Sequence, residues 1–247
     1  MSRTVLITGG NSGIGYAISN LLSSLGAYHV LLASRSQAKG EAAVNAIKSG
    51  NSKANISAIV LDVDDAGSID AAAKQVSSTY GGKLDALINN AGIYDPSLPI
   101  EEDFARSFKT NVTGSVLVTE AFKPLLLKVE KSYLLFTSST LGSIGIASEN
   151  VAAEAKPICA AYRASKAAMN MVAVEYAKEL GAKGVRVFPY CPGLVESNLR
   201  GTAPQAVTAG GNALSADTSA ALVRDVLDGK WDGHAGKFIN KNGVQAW

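Results

Sequence analysis

Short runs of aliphatic and β-branched residues recur along the chain, and between them lie longer Ala- and Leu-rich stretches whose apolar positions return every three to four residues. The runs predict strands over 4–8, 28–34, 55–61, 84–89, 133–138, 185–191 and 236–239. The stretches predict helices near 13–25, 38–48, 67–79, 103–130, 162–181 and 217–228. A strand that alternates with a helix in this way builds βαβ units, so the expected architecture is α/β: a seven-stranded, mainly parallel, doubly wound sheet with helices on both faces. In such sheets ligands bind beyond the carboxyl ends of the strands. The residues just after each predicted strand are therefore the first place to look for chemistry.

The first strand runs directly into Thr8-Gly9-Gly10-Asn11-Ser12-Gly13-Ile14-Gly15, and a helix opens at once behind it. Gly9 permits the tight turn off the strand, Gly13 lets the backbone approach a pyrophosphate, and Gly15 lets the helix pack closely on the sheet. The helix N-terminus supplies N–H donors for anionic oxygens. A strand before and a helix after raise this glycine pattern above an ordinary turn and make the sheet Rossmann-type. The second strand ends in Ala33-Ser34-Arg35, where a carboxylate would be expected to hold the adenosine ribose of NAD. Arg35 can instead fork onto a 2′-phosphate and Ser34 can donate a hydroxyl, which favours NADP(H); the alternative for Arg35 is a solvated start to the next helix. Asp62, followed by Val63, is placed for the adenine edge, or else to cap the following helix. The fourth strand closes on Asn89-Asn90-Ala91-Gly92, which suits a backbone passing close to a cofactor ribose and would also make a plain Asn-rich turn.

Composition narrows the field. With 247 residues and 47% hydrophobic content the chain can bury a large core, and we expect a single domain over 1–247. Lys and Arg number 23 against 21 acidic residues, for a net +2 with no basic cluster, so nucleic acid is not an expected partner. The N-terminal apolar run is too short for a signal core or a membrane span, which predicts a cytoplasmic protein without a membrane partner. The two cysteines, Cys159 and Cys191, lack the spacing of a disulfide framework or a zinc site, so no metal is expected. The stretch 201–216, rich in Gly, Ala, Thr and Asn, reads as a loop.

Three later elements carry reactive groups: Ser138-Ser139 after the fifth strand, Tyr162-Arg163-Ala164-Ser165-Lys166 opening a helix, and Pro192-Gly193 after the sixth strand. Tyr162 and Lys166 are four apart, which on a helix stacks them on one face. A phenol is a poor acid–base group near neutral pH, and a neighbouring ammonium with a cationic nicotinamide favours its ionised form. Tyr162 is thus the candidate general acid in reduction and base in oxidation.

In this order, TGGNSGIG, NNAG, Asn111, Ser139, YRASK and PG resemble the short-chain dehydrogenase/reductase family along essentially the whole chain. That resemblance implies that Ser139 bonds the substrate oxygen, Tyr162 transfers the proton, Lys166 binds the nicotinamide ribose, and Asn111 helps to hold a proton-relay water. It implies a small-molecule carbonyl or alcohol substrate and a homodimer or homotetramer. After Pro192-Gly193 the family usually places a threonine against the nicotinamide amide; here the segment reads Leu194-Val195-Glu196-Ser197, so Ser197 keeps only the hydroxyl, beside Val195. The closing segment, from Gly236 to Trp247, resembles the sniffer-like carbonyl reductase branch, an ending shared with fungal ketoreductases.

One departure stands out: twenty-three positions separate Ser139 from Tyr162, longer than the family pattern. The additional stretch, about 144–157, predicts a short helix beside the pocket, narrowing its mouth with Tyr94, Asp95 and the 194–214 loop, or else an exposed insertion without a role. The leading expectation is reduction of a hydrophobic or aromatic ketone or aldehyde. Alcohol oxidation uses the same site, non-redox biosynthetic chemistry is open to the scaffold, and a non-catalytic NADP-binding regulator would not need Ser139, Tyr162 and Lys166.

Overall fold

The computed structural model describes residues 2–149 and 159–247. Seven of its strands follow the apolar runs: β1 (Arg3–Ile7), β2 (Tyr28–Ser34), β3 (Ile56–Val60), β4 (Ala86–Asn89), β5 (Ser132–Thr137), β6 (Val185–Tyr190) and β7 (Ile239–Asn240). Among the described residues the sheet has eight strands, one more than expected, because a two-residue strand, β8 (Gly243–Val244), turns back antiparallel onto β7. All other neighbours pair parallel, in the order β3-β2-β1-β4-β5-β6-β7-β8.

The helices are α1 (Gly13–Ser24), α2 (Gln37–Gly50), α3 (Ala66–Thr79), α4 (Ile100–Phe108), α5 (Ser115–Leu126), α6 (Ile144–Glu149), α7 (Ala160–Leu180), α8 (Pro204–Val207) and α9 (Asp217–Leu227). They cover both faces of the sheet. On β1, Val5 and Ile7 join a core shared with α1, α2 and α9, whereas Leu6 joins the opposite core shared with α3, α5 and α7. Strands buried on both sides need apolar residues at successive positions, which is why they read as runs. Each fully buried Leu or Ile contributes about 1.5–3 kcal/mol, so these runs are the main source of the sheet's stability.

The helix expected over 103–130 is interrupted. A wider π-type turn, Lys109–Gly114, separates α4 from α5. It is pinned from outside: Thr110 Oγ1 donates to Asp64 Oδ2 at 2.8 Å, and a Cβ on Gly114 would lie 2.8 Å from the Val63 carbonyl oxygen. Both anchors belong to the loop after β3, so tertiary contact widens the turn that local periodicity would have kept regular.

The chain runs outward from β1 through β2 to β3, then crosses back to place β4 on the other side of β1. The crevice at that switch point opens at the carboxyl ends of β1 and β4. Helix α6 bears out the start of the expected 144–157 helix; the remainder of that segment falls on 150–157, outside the described residues. Among the described residues, no helix is long and apolar enough to cross a membrane.

Candidate functional site

A cavity of about 840 Å³ lies over the carboxyl ends of the strands. Its floor begins at the glycine turn. Gly9 and Gly13 have φ of +63° and +52°, a conformation that side chains oppose, and Gly9, Asn11, Ser12, Gly13 and Ile14 all face the cavity. Ser12 precedes α1 in an extended conformation without capping it, and the first turn holds no acidic residue, so the helix N-terminus keeps free donors for an anion. Gly15 lies beneath the turn and off the wall. A Cβ there would stand 2.6 Å from Asn90 Nδ2 and closer still to the Gly9 carbonyl oxygen.

That contact joins two turns that are far apart in sequence. Thr8 Oγ1 accepts hydrogen bonds from the backbone of Asn90 at 2.9 Å and of Ala91 at 3.0 Å, while Asn90 Nδ2 donates to the Thr8 carbonyl at 2.9 Å. Asn90, Ala91 and Gly92 reach the wall; Asn89 does not. Asn89 is the last residue of β4 and points the other way, donating from Nδ2 to Thr119 Oγ1 of α5 at 2.9 Å. Its expected contact with a cofactor is replaced by a bond inside the fold, because successive strand residues face opposite sides.

Ser34, Arg35, Asp62 and Val63 form the far end of the cavity. Ser34 Oγ is bonded within its own turn, donating to the Ser36 carbonyl at 3.1 Å. Arg35 is exposed, and Lys39, one turn into α2, stands on the same wall. Lys39 was not among the expected residues, and its only signal in the sequence is a lysine in the first turn of the helix that follows β2. Asp62 does not cap α3. Asp65 does so, accepting from Gly67 N at 2.9 Å, and Asp62 Oδ1 instead accepts from Asp64 N at 3.0 Å, which leaves the Asp62 side chain on the cavity.

Ser139, Tyr162 and Lys166 meet at the near end. Ser138 is the structural one of the serine pair: its buried Oγ donates to Asn170 Oδ1 at 2.5 Å. Ser139 Oγ accepts from Leu141 N at 3.1 Å and stands with the Tyr162 phenol on the same stretch of wall. Lys166 Nζ donates to the Thr137 carbonyl at 2.7 Å and lies 5.6 Å from the centre of the Tyr162 ring. The Tyr94 ring meets Tyr162 edge-on at 5.3 Å. Burial pushes the Tyr162 phenol well above its ordinary range, with Cys191 adding to the rise and the Ser139 hydroxyl and Arg200 opposing it. Burial also lowers the Lys166 ammonium from 10.5 to about 8. The expected lowering of the phenol by Lys166 is not among the causes of its shift, in which desolvation is the largest.

Asn111 is fully buried in the π-type turn and off the wall. Its Oδ1 accepts from Ile93 N at 2.8 Å, and its Nδ2 donates to the Ile93 carbonyl at 3.1 Å and to Ser165 Oγ at 3.0 Å. It therefore clamps the segment after Gly92 against α7. Pro192, Gly193, Val195 and Ser197 line the roof, and a Cβ on Gly13 would lie 3.3 Å from Ser197 Cβ, so this loop rests on the glycine turn. Both cysteines are free and line the near end. Tyr94 stands on the wall as expected, but Asp95 and residues 144–149 do not: Asp95 is held in its own turn by Ser97 Oγ, 2.6 Å away, and α6 is held toward the tail by Gly145 N donating to the Trp247 carbonyl at 2.6 Å.

The residues fit a nicotinamide dinucleotide. Side-chain-free backbone and a helix N-terminus suit its diphosphate, the Ser34–Lys39 end suits its adenosine half, and a hydroxyl, a phenol and an ammonium converge at the other end.

Residues 3–208 match the family model described as short chain dehydrogenase. The chain is 39% identical over 204 residues to the short-chain dehydrogenase anuI of Penicillium roqueforti, covering 80% of each. It is 32% identical over 257 residues to the short-chain dehydrogenase/reductase tropE of Talaromyces stipitatus, covering 98% of this chain and 96% of that one. Among solved structures, NADPH-bound carbonyl reductase from chicken fatty liver superposes with a TM-score of 0.84 at 30% identity, covering 100% of this chain and 99% of the other.

Proposed function

The chain belongs to the short-chain dehydrogenase/reductase family, and from that membership we propose that it is an NADP(H)-dependent reductase of a ketone or aldehyde, acting as a single domain. The observation that carries the reading is the convergence of Ser139, Tyr162 and Lys166 at one end of a cavity whose other end is built from a glycine turn and two cations.

The nicotinamide, when bound, supplies the hydride. The protein's part is to hold the carbonyl and deliver a proton to its oxygen. Ser139 Oγ, on the same wall as the phenol, is the group to donate to the same oxygen as Tyr162. Burial keeps the phenol protonated near neutral pH, which suits a donor in reduction. Hydride at carbon and proton at oxygen together turn C=O into CH–OH. Lys166, held by the Thr137 carbonyl beneath the tyrosine, is the group to bind the nicotinamide ribose and to stabilise the phenolate left after transfer. Asn111 positions Ile93 and Ser165 around these groups.

Preference for NADP(H) rests on Arg35 and Lys39 with Ser34, and on the lack of a carboxylate at the end of β2. Ile93, Tyr94, Leu141, Leu194 and Leu199 give the near end an apolar lining, which supports a hydrophobic or aromatic substrate. The test is to follow NADPH and NADH oxidation with a panel of quinones, aromatic ketones and aldehydes, comparing wild type with Tyr162→Phe. We expect turnover with NADPH to fall at least about a hundredfold in the variant. Turnover that survives nearly unchanged would sink the mechanism, and equal use of NADH would sink the cofactor assignment.

A further inference from the structure

Charged residues on the described wall fall into two groups. Arg35, Lys39, Asp62 and Asp64 follow β2 and β3 at the far end, whereas Lys166 comes from α7 and Arg200 from the loop after β6. No carboxylate accompanies the second group among the described residues. Lys166, bonded to the Thr137 carbonyl, is the group already assigned to the nicotinamide ribose. Arg200 is different in kind.

Its guanidinium donates through Nε to the Ala206 carbonyl at 3.1 Å, and through Nη2 to the Val195 and Val207 carbonyls, both at 2.8 Å. All three acceptors are main-chain oxygens. They fix the plane of the guanidinium without neutralising it, and none of the ion pairs among the described residues includes it. An arginine does not shed its proton, so a half-buried positive charge is left on the wall with Nη1 unused by these bonds. A half-buried charge without a counter-ion is partly desolvated, and an anionic ligand group would offset that cost. Arg200 lines the same cavity as Tyr162 and Ser139, with Leu194 and Leu199 of its own loop on that wall.

We propose that Arg200 is an anion-recognition residue that selects carbonyl substrates bearing a carboxylate or phenolate, their apolar body lying along Tyr94, Leu141, Leu194 and Leu199. The proposal rests on the carbonyl-reduction reading above and adds the substrate's charge to it. A cofactor diphosphate offers the same chemistry, since Ser197, three residues earlier, lies against Gly13 of the glycine turn.

The test compares wild type, Arg200→Gln and Arg200→Lys in three measurements: kcat/KM for 4-carboxybenzaldehyde against its neutral ester, methyl 4-formylbenzoate; calorimetric binding of 2-naphthoate against 2-naphthamide; and NADPH affinity by fluorescence. In Arg200→Gln, we expect kcat/KM for the carboxylate to fall about ten- to a hundredfold and that for the ester to change less than about threefold. Arg200→Lys should retain part of the preference, because it keeps the charge while breaking the three-carbonyl latch. NADPH affinity should stay within about threefold in both. A parallel fall for acid and ester in both variants would make Arg200 a loop latch only and overturn the proposal. Weakened NADPH binding with unchanged acid preference would assign the charge to the diphosphate and overturn it equally. If wild type reduces neither aldehyde, the reductase reading is what fails, and the naphthoate pair still decides: naphthoate weakened in Arg200→Gln with naphthamide unmoved supports anion recognition, and no difference between them refutes it.

Discussion

Replacing Lys166 by methionine removes an ammonium that the fold keeps almost wholly out of water, at 3% exposure, and that burial lowers from 10.5 to about 8. A depression of that size means that holding the charged form at neutral pH costs the folded state about 3 kcal/mol. That figure is net of the bond from Nζ to the Thr137 carbonyl, so Lys166→Met should unfold at the same stability as wild type or up to about 3 kcal/mol above it near pH 7. The pH dependence is the sharper readout. The folded pKa lies below the unfolded one, so between about 8 and 10.5 the unfolded chain binds more protons, and wild-type stability rises with pH over that window. Methionine has no proton to lose. The stability of the variant relative to wild type should therefore shrink by about 2 kcal/mol between about pH 7 and 9.5, or roughly 4–8 °C in Tm for a chain of this size. Thermal unfolding of both proteins across that range measures it, since other titrating groups cancel in the difference. Parallel Tm curves would refute the claim that the site holds a charge against its solvation. A variant at least as stable but nearly inactive in NADPH oxidation would identify that cost as one kept for function.

Gly15→Ala should lose more than about 2 kcal/mol in chemical denaturation, because its Cβ would meet Asn90 Nδ2 and the Gly9 carbonyl, whereas Gly50→Ala, with open space around it, should be neutral or gain up to about 1 kcal/mol. Thr8→Val leaves the Asn90 and Ala91 amides without their acceptor and should cost about 2–4 kcal/mol, with weaker NADPH binding by fluorescence titration as the joined turns loosen. Arg35→Ala with Lys39→Ala should weaken NADPH binding about ten- to a hundredfold and leave NADH within about threefold; an equal loss for both would remove the phosphate argument.

What the sequence disclosed and what it withheld divide along a physical line. Strands buried on both faces declare themselves as apolar runs, and the glycine turn declares itself because its function needs residues without side chains in a fixed local order. Asn89 and Asn90 looked equivalent, yet the period-two alternation of a strand sends one to Thr119 and the other to the Thr8 turn. That split was readable and was missed. The break at 109–114 was not readable, because it depends on Val63 and Asp64 from another loop. Strand β8 depends in the same way on where the chain after Phe238 is carried, with the Trp247 ring stacked 6.1 Å from that of Phe238.

Arg200 shows the limit most clearly. Its partners are the carbonyl oxygens of Val195, Ala206 and Val207, and a carbonyl is present at every residue whatever its side chain. No pattern of residue types around position 200 encodes such a contact, and the stretch 201–216 that follows reads only as a loop rich in Gly, Ala, Thr and Asn. Within the fold the loop rests on the glycine turn at Ser197 and pairs Val195 with Leu214. The chemistry common to the family sits on strands and helices whose periodicity announces them. On the proposed reading, the group that selects the substrate sits on a segment organised through the main chain, so substrate choice would change with one side chain while Ser139, Tyr162 and Lys166 stay where they are.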